Sequence, residues 1–327
     1  MSKKKQKNIL VVYFEYLIFL CAVFVFKLVP LRIAYFLADI LSYFIYIFDF
    51  KHRNRIIKHL MFVGICKDKK SASVLAKENL RQFIYLGLEI VKAKQYISME
   101  NAKESVRMLG SEKSKKMFFS PDVKNNSNAI VLTAHYGNWE LAGLLYVAHS
   151  GHTLTSVMRD FDNPLIGNYF VKQRKEDRHF LCSKKNALLS LMKALKRNES
   201  ACMLVDQHAN RNEGVETLFW GKPARTHASP AILHLRTGVP ILLALVKRIG
   251  FCKFEIYIAD PIIYKPTGDK EKDIQTLAQL YTTELEKLIK KAGIIQWLWA
   301  HRRWLDLRKK TIRSNQKKQN RKKGSTE

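Results

Sequence analysis

Ala129-Ile-Val-Leu-Thr-Ala-His135-Tyr-Gly-Asn-Trp-Glu140 is the stretch from which the architecture can be read. Its first half, residues 129–134, is a short apolar run of the kind that forms a strand. Similar runs stand at Leu154–Met158, Ala201–Val205, Ile241–Val246 and Phe254–Ala259. Between most of them lie helical patterns, such as Leu141–Ala148 and Ala187–Leu195. Strands alternating with helices predict an α/β fold with a largely parallel central sheet flanked by helices. The second half, Ala134–Glu140, begins where the first strand ends. In open α/β sheets ligands collect at the carboxyl ends of strands. His135 and Glu140 are five residues apart, which on a regular helix is roughly 140° around the axis, so one helical face cannot hold both. Gly137 and Asn138 permit a turn instead, with a helix starting near Trp139. Such a turn would fold Glu140 back toward the imidazole. There a carboxylate fixes the ring tautomer and stabilises the imidazolium, and His135 can act as a general base. A strand end capped by a hydrogen-bonded histidine explains the same residues without chemistry.

Upstream, residues 71–97 read as a helix, with Leu75, Leu80, Ile84, Leu88 and Val91 near helical spacing. Before it come two apolar runs. Ile9–Val29 is broken by Glu15 and Lys27, and after Pro30 the run Leu31–Phe50 is broken by Arg32, Asp39 and Asp49. Each is near the roughly 20 residues that span a bilayer. Residues 1–50 therefore read as a helical membrane anchor, with a pair of buried core helices as the alternative. A cleaved signal peptide fits less well, because no small-residue cleavage site follows the first run. Lys3, Lys4, Lys5 and Lys7 precede the pair, and Lys51, Arg53, Arg55 and Lys58 follow it. The positive-inside rule then favours both ends in the cytoplasm, as a hairpin or as helices lying partly in the interface. A single span is the other arrangement. The acidic residues argue against deep, fully lipid-exposed burial of both runs.

Downstream, residues 270–292 read as a late amphipathic helix. The chain closes on a basic tail, 306–327, that holds Arg308, Lys309, Lys310, Arg313, Lys317, Lys318, Arg321, Lys322 and Lys323. The formal net charge over 327 residues is +29. Such a surface attracts nucleic acid or anionic lipid headgroups, and charge alone does not choose between them. With 47% apolar residues the chain is not a disordered protein. Three segments follow: the anchor at 1–50, one large domain at 51–305 and the tail at 306–327. Five cysteines, at 21, 66, 182, 202 and 252, include no CxxC pair. Neither a disulfide framework nor a zinc cluster is indicated, and a reducing compartment fits.

Further candidate sites also fall at strand ends. Arg159 follows Val157-Met158, and Arg174, Lys175 and Arg178 lie in the polar helix after it. The guanidinium fork suits phosphate or carboxylate, although ordinary surface charge is the plain alternative. Asp206-Gln207-His208 follows another strand and leads into the segment Gly214–Thr226. Asp206, His208, His135 and Glu140 are conceivable metal ligands, but their spacing matches no standard motif. No metal and no cofactor is expected. Trp297-Leu-Trp-Ala-His-Arg-Arg-Trp304 suits a membrane interface, a headgroup site or a cation–π-stabilised core edge.

Together these blocks resemble the lipid A biosynthesis late acyltransferases (the lauroyl/myristoyl type), within the larger glycerolipid acyltransferase superfamily. The superfamily mark is a His, four residues and an acid, here His135 to Glu140, with Glu as in the lipid A branch. The later blocks agree in order: Arg159 before Asn163-Pro164, the Arg174 region, Asp206-Gln207, Phe219-Trp220-Gly221 with Ala224 and Thr226, Gly238-Val239-Pro240, and His301-Arg302-Arg303-Trp304. Two departures are His208 and the Leu305-Asp306 that follows Trp304. The resemblance implies acyl transfer from acyl carrier protein to a hydroxyl of a lipid A precursor or other anionic lipid acceptor, at the cytoplasmic side of the inner membrane. It implies His135 and Glu140 as the catalytic pair. Arg159, Arg174, Asp206, Gln207, Gly221, Thr226, Arg302 and Arg303 are the implied substrate-binding residues. A lysophospholipid or glycerol-phosphate acyltransferase would share the chemistry and differ in acceptor. A basic nucleic-acid-binding protein would explain the charge but not the apolar amino terminus, and no nucleic-acid motif is visible. A metal-dependent hydrolase is a third class.

Overall fold

The computed structural model describes residues 8–158, 161–176 and 178–304. Four helices come first: α1 (Ile9–Leu28), α2 (Leu31–Phe48), α3 (Phe50–Phe62) and α4 (Lys69–Lys92). Pro30 separates the first two, where its missing N–H stops one helix and its fixed φ suits the start of the next. The Asp49 carboxylate accepts from His52 N–H to cap α3, and Asp68 accepts from Ser71 N–H to cap α4. The short elements α5 (Ala102–Ser105), β1 (Arg107–Gly110) and α6 (Glu112–Phe118) follow. The alternating part then runs β2 (Ile130–Thr133), α7 (Ala142–Ser150), β3 (Leu154–Met158), α8 (Pro164–Glu176), β4 (His179–Ser183), α9 (Ala187–Lys196) and β5 (Ser200–Leu204). A hairpin, β6 (Gly214–Phe219) and β7 (Lys222–His227), precedes α10 (Ser229–Thr237), β8 (Ile241–Gly250), β9 (Lys253–Ile258) and α11 (Lys270–Ala292).

Seven strands form one sheet in the order β1-β9-β8-β2-β5-β3-β4. Every neighbouring pair is parallel except β8 with β9. The fold is therefore α/β with a mostly parallel central sheet flanked by helices. All four residues of β2 are buried, as expected of a central strand covered on both faces. Ile130 and Leu132 point into a core with Leu233 of α10 and Leu277, Tyr281 and Leu285 of α11. Val131, one pleat over, points into a second core with Leu144, Leu145 and Val147 of α7 and Tyr35 of α2.

The two apolar helices at the amino terminus are long and apolar enough to cross a membrane. Only Val23 of α1 is buried, whereas α2 buries Ala34, Tyr35, Ala38 and Ser42. Their outer faces present Phe14, Leu17, Phe24, Phe36 and Phe44 to the surroundings. Several polar residues that interrupt the runs are tied to the rest of the protein. Glu15 accepts from Asn163 Nδ2 at 3.0 Å, and Asp39 accepts from the Tyr85 hydroxyl at 2.5 Å. Phe19 meets Tyr169 of α8 edge-on at 5.2 Å. The basic residues before α1 and the tail 306–327 lie outside the described residues.

Candidate functional site

The site is built at the carboxyl ends of adjacent central strands. Thr133 of β2 and Leu204 of β5 are partners in the parallel register. His135 and Asp206 each stand two residues further on, so the register itself sets them side by side. His135 Nδ1 lies 2.8 Å from Asp206 Oδ1, and the His135 backbone N–H donates to Asp206 Oδ2 at 2.9 Å. Trp297 Nε1 donates to the same Oδ2 at 2.9 Å. Asp206 is 0% exposed. Burial alone would raise its pKa, but the His135 imidazole, its hydrogen bonds and His301 outweigh burial and hold the carboxyl below the usual carboxylate range. An ionised Asp206 accepts from Nδ1–H, which leaves the His135 Nε2 lone pair facing outward.

That lone pair meets Gln207. Its carboxamide nitrogen lies 3.2 Å from His135 Nε2 and 3.3 Å from His301 Nε2, offering one hydrogen to each ring. The two imidazoles are 4.4 Å apart between centroids and nearly perpendicular, at 76°. Burial pushes the His301 pKa down to about 3, with Asp206 opposing and His135 assisting, so the ring is neutral. His301 is not among the site residues expected from the sequence. The signal that could have found it was its place in the His-Arg-Arg-Trp block.

The turn between β2 and α7 depends on Gly137. Its φ is +52°, and a Cβ there would lie 2.0 Å from Val246 O and 2.9 Å from Gln296 Oε1. The close approach is used: Gly137 N–H donates to Gln296 O and Asn138 N–H to Val246 O, both at 3.1 Å. The turn is longer than expected, and α7 begins at Ala142 rather than near Trp139. Trp139 packs edge-on against the His135 ring at 5.0 Å. Glu140 is ion-paired with Arg174 of α8. The fold-back of Glu140 onto the imidazole is thus replaced by a contact from another strand, because Asp206 already occupies Nδ1. Arg174 is largely buried, which draws its pKa below the usual value, and its Nη1 also lies 3.7 Å from Met158 Sδ.

The other expected residues divide into two sets. Gln207 and Arg302 are exposed near His301. Thr226 and Arg303 are buried behind them. Arg303, 1% exposed, donates to Gln207 O at 2.8 Å, Arg225 O at 2.9 Å and Thr226 Oγ1 at 2.6 Å. Burial pulls its pKa down to about 10. These two residues fix the backbone that carries Gln207. Gly221, with φ +65°, makes the turn of the β6–β7 hairpin. Trp297, Trp299 and Trp304 are buried with Phe219, and Arg303 lies 4.9 Å over the Phe219 ring, so this block is a core edge. Arg159 lies outside the described residues. His135, Asp206 and His301 each offer one ligand atom, all within 4.8 Å of one another, a spacing that can hold a metal ion. Glu140 and His208 are not in that group.

The family model described as bacterial lipid A biosynthesis acyltransferase matches residues 1–306. Phosphatidylinositol mannoside acyltransferases from two strains of Mycobacterium tuberculosis are 28% identical to the chain over 118 residues, covering 35% of this chain and 37% of theirs. The similarity thus spans little more than a third of the length of those curated relatives.

Proposed function

The chain belongs to the bacterial lipid A biosynthesis acyltransferase family, and from that premise we propose that it transfers a fatty acyl group from acyl carrier protein to a hydroxyl of a lipid A precursor. The observation that carries the chemistry is the His135 imidazole, whose Nδ1 is held by a buried carboxylate and whose Nε2 lone pair opens to the site. The acceptor hydroxyl takes the place of the Gln207 carboxamide at Nε2 and gives its proton to the ring. The alkoxide attacks the thioester carbonyl, a new C–O bond forms and the C–S bond breaks. The thiolate leaves with the proton carried by the imidazolium, which Asp206 stabilises in the interval. No serine or cysteine nucleophile, metal or cofactor is needed in this sequence.

Glu140 acts here through Arg174. The ion pair holds a guanidinium beside the site, where it can grip a lipid phosphate or the phosphopantetheine phosphate with two bonds. Arg159 and Arg302 serve the same anionic groups. Residues 1–50 anchor the protein in the inner membrane, residues 51–305 carry the reaction on the cytoplasmic side, and the tail 306–327 adheres to anionic headgroups. The mycobacterial relatives are named for a phosphatidylinositol mannoside. A different membrane glycolipid is therefore the second acceptor to try.

The test is the purified protein in detergent with lauroyl- and myristoyl-loaded acyl carrier protein or acyl-coenzyme A as donors. The acceptors are a lipid A precursor, a phosphatidylinositol mannoside and a lysophospholipid, with product masses read. One added acyl mass on the precursor, from the carrier protein, is expected. Transfer confined to acyl-coenzyme A or to the lysophospholipid would overturn the assignment.

A further inference from the structure

Glu89 sits in the last turn of α4, where the acyl-transfer chemistry needs no carboxylate. It is 1% exposed, and three side chains converge on it. Arg248 of β8 grips it with Nε and Nη2, the latter at 2.7 Å. The Tyr35 hydroxyl of α2 donates to Oε1 at 2.5 Å, and Asn138 Nδ2 donates to Oε2 at 3.0 Å. A buried ion pair is a poor way to stabilise a fold, since apolar replacements of similar volume are often neutral or stabilising. A fully satisfied buried network does fix direction.

The direction fixed here is that of the His135 turn. Asn138 stands three residues after His135, and its carboxamide oxygen accepts the Leu141 N–H at 3.1 Å. Glu89 decides which way that carboxamide faces and so closes the turn. Arg248 carries the second path. Gln296 clamps its backbone N–H at 2.9 Å and its carbonyl at 2.8 Å, and the Gln296 carbonyl accepts from Gly137 N–H at 3.1 Å. We propose that Glu89 is a positioning residue for the active-site turn, holding the His135 imidazole in place through Asn138 and Arg248. The proposal rests on the general-base reading given above. It also ties the seating of α2 to the site, because Tyr35 belongs to that helix.

The experiment is a reciprocal exchange of carboxylate and carboxamide in the full-length protein in detergent. Asn138→Asp places an acceptor against Glu89 while leaving the Glu89–Arg248 pair intact, so it tests the contact even if Glu89→Gln does not fold. Each single variant is expected to lose about 10- to 100-fold in kcat with KM nearly unchanged, the size of effect that a misplacement of about 1 Å produces. The double variant, which restores one donor facing one carboxylate, should recover part of that loss. Hydrogen exchange of the 137–141 amides should rise in Asn138→Asp with that of α11 unchanged. Near wild-type kcat per folded molecule in Asn138→Asp, or a double loss equal to the product of the singles, would overturn the proposal. A wild-type protein that transfers no acyl group sinks the general-base reading instead. The exchange measurement then decides alone, and unchanged protection in Asn138→Asp refutes the positioning role.

Discussion

Asp206→Asn is the most informative single substitution, because the structure dictates which way the new carboxamide must face. Asp206 Oδ2 accepts from two donors, the His135 backbone N–H and Trp297 Nε1, both at 2.9 Å. A carboxamide NH2 cannot occupy that corner without setting donors against donors. Its oxygen therefore stays at Oδ2 and its NH2 turns to His135 Nδ1, 2.8 Å from the present Oδ1. Nδ1 must then accept, the ring proton moves to Nε2, and the lone pair that takes the hydroxyl proton is gone. Positioned general-base catalysis is worth about 10² to 10⁴ in rate, and the wrong tautomer of an acid-oriented histidine costs about 10⁴ in another enzyme class. The expected loss in kcat is about 10² to 10⁴, which is about 3–5 kcal/mol of barrier. Two of the three hydrogen bonds survive, so the folded fraction should change little. The assay is single-turnover acyl transfer on the same preparation whose thermal unfolding is followed by circular dichroism. A kcat within about fivefold of wild type, in a protein that melts normally, would refute the orienting role. Asp206→Ala differs in kind. It strands two buried donors at about 1–3 kcal/mol each and should lower both stability and rate.

His135→Ala should abolish most activity without unfolding the protein, and adding Asp206→Asn to it should cost little more; multiplying losses in the double variant would contradict a shared role. Glu140→Ala and Arg174→Ala should each lower kcat/KM, and the double variant should lose no more than the worse single, since each residue holds the other; additive losses would separate them. Stability should fall between pH 6.5 and about 3, because burial holds His301 and His179 to about 3 from an ordinary value of 6.5. In that window the unfolded chain binds protons that the folded protein refuses, so stability is complete above the unfolded value and is lost as pH falls toward the folded one; a melting temperature flat from pH 7 to pH 4 would be inconsistent with this. Deleting residues 1–48 should release protein from membranes in high salt and lower kcat through the lost Tyr35 hydroxyl; a truncated protein fully retained by membranes would place the anchor elsewhere.

The parts of the fold legible in the sequence were those whose residues face a core on both sides. The apolar runs at 129–134, 154–158, 201–205, 241–246 and 254–259 all became strands, within a residue or two of their expected starts. The strands not anticipated lie at the sheet edges or outside the sheet. β1 (Arg107–Gly110) and β4 (His179–Ser183) are edge strands with partly exposed residues, and short mixed sequences there carry no strong period. The β6–β7 hairpin alternates polar and apolar residues weakly, and its turn, Trp220-Gly221, carries no Asn-Gly or Asp-Gly signal. In the site, His135, Gln207 and Arg174 could be picked out one at a time because each follows a strand end or sits in a basic helix. Their pairings could not. His135 and Asp206 are 71 residues apart in the chain, and Gln207 and His301 are 94 apart. Only the parallel register and the return of the 294–304 segment bring them together.

The spacing of a histidine and an acid five residues later invites a contact between the two, and here the geometry argues for a division of labour instead. A carboxylate that must orient an imidazole through a reaction should sit on the most rigid support available. A strand hydrogen-bonded directly to the histidine's own strand is such a support, and the parallel pairing of β2 with β5 fixes Asp206 against His135 with no intervening turn. Glu140, by contrast, lies in a turn at the edge of α7, where it is ion-paired with Arg174 from α8. An acid there gains little by competing for Nδ1, which is occupied, and is better matched to holding a guanidinium. Sequence proximity then records that the turn serves two tasks. Under the proposed acyl transfer it carries the base at its start, and at its end it carries the residue that would aim a cation at the substrate's negative charge. On this reading the length of the turn is set by the distance between proton transfer and anion binding, rather than by any need for His135 and Glu140 to meet.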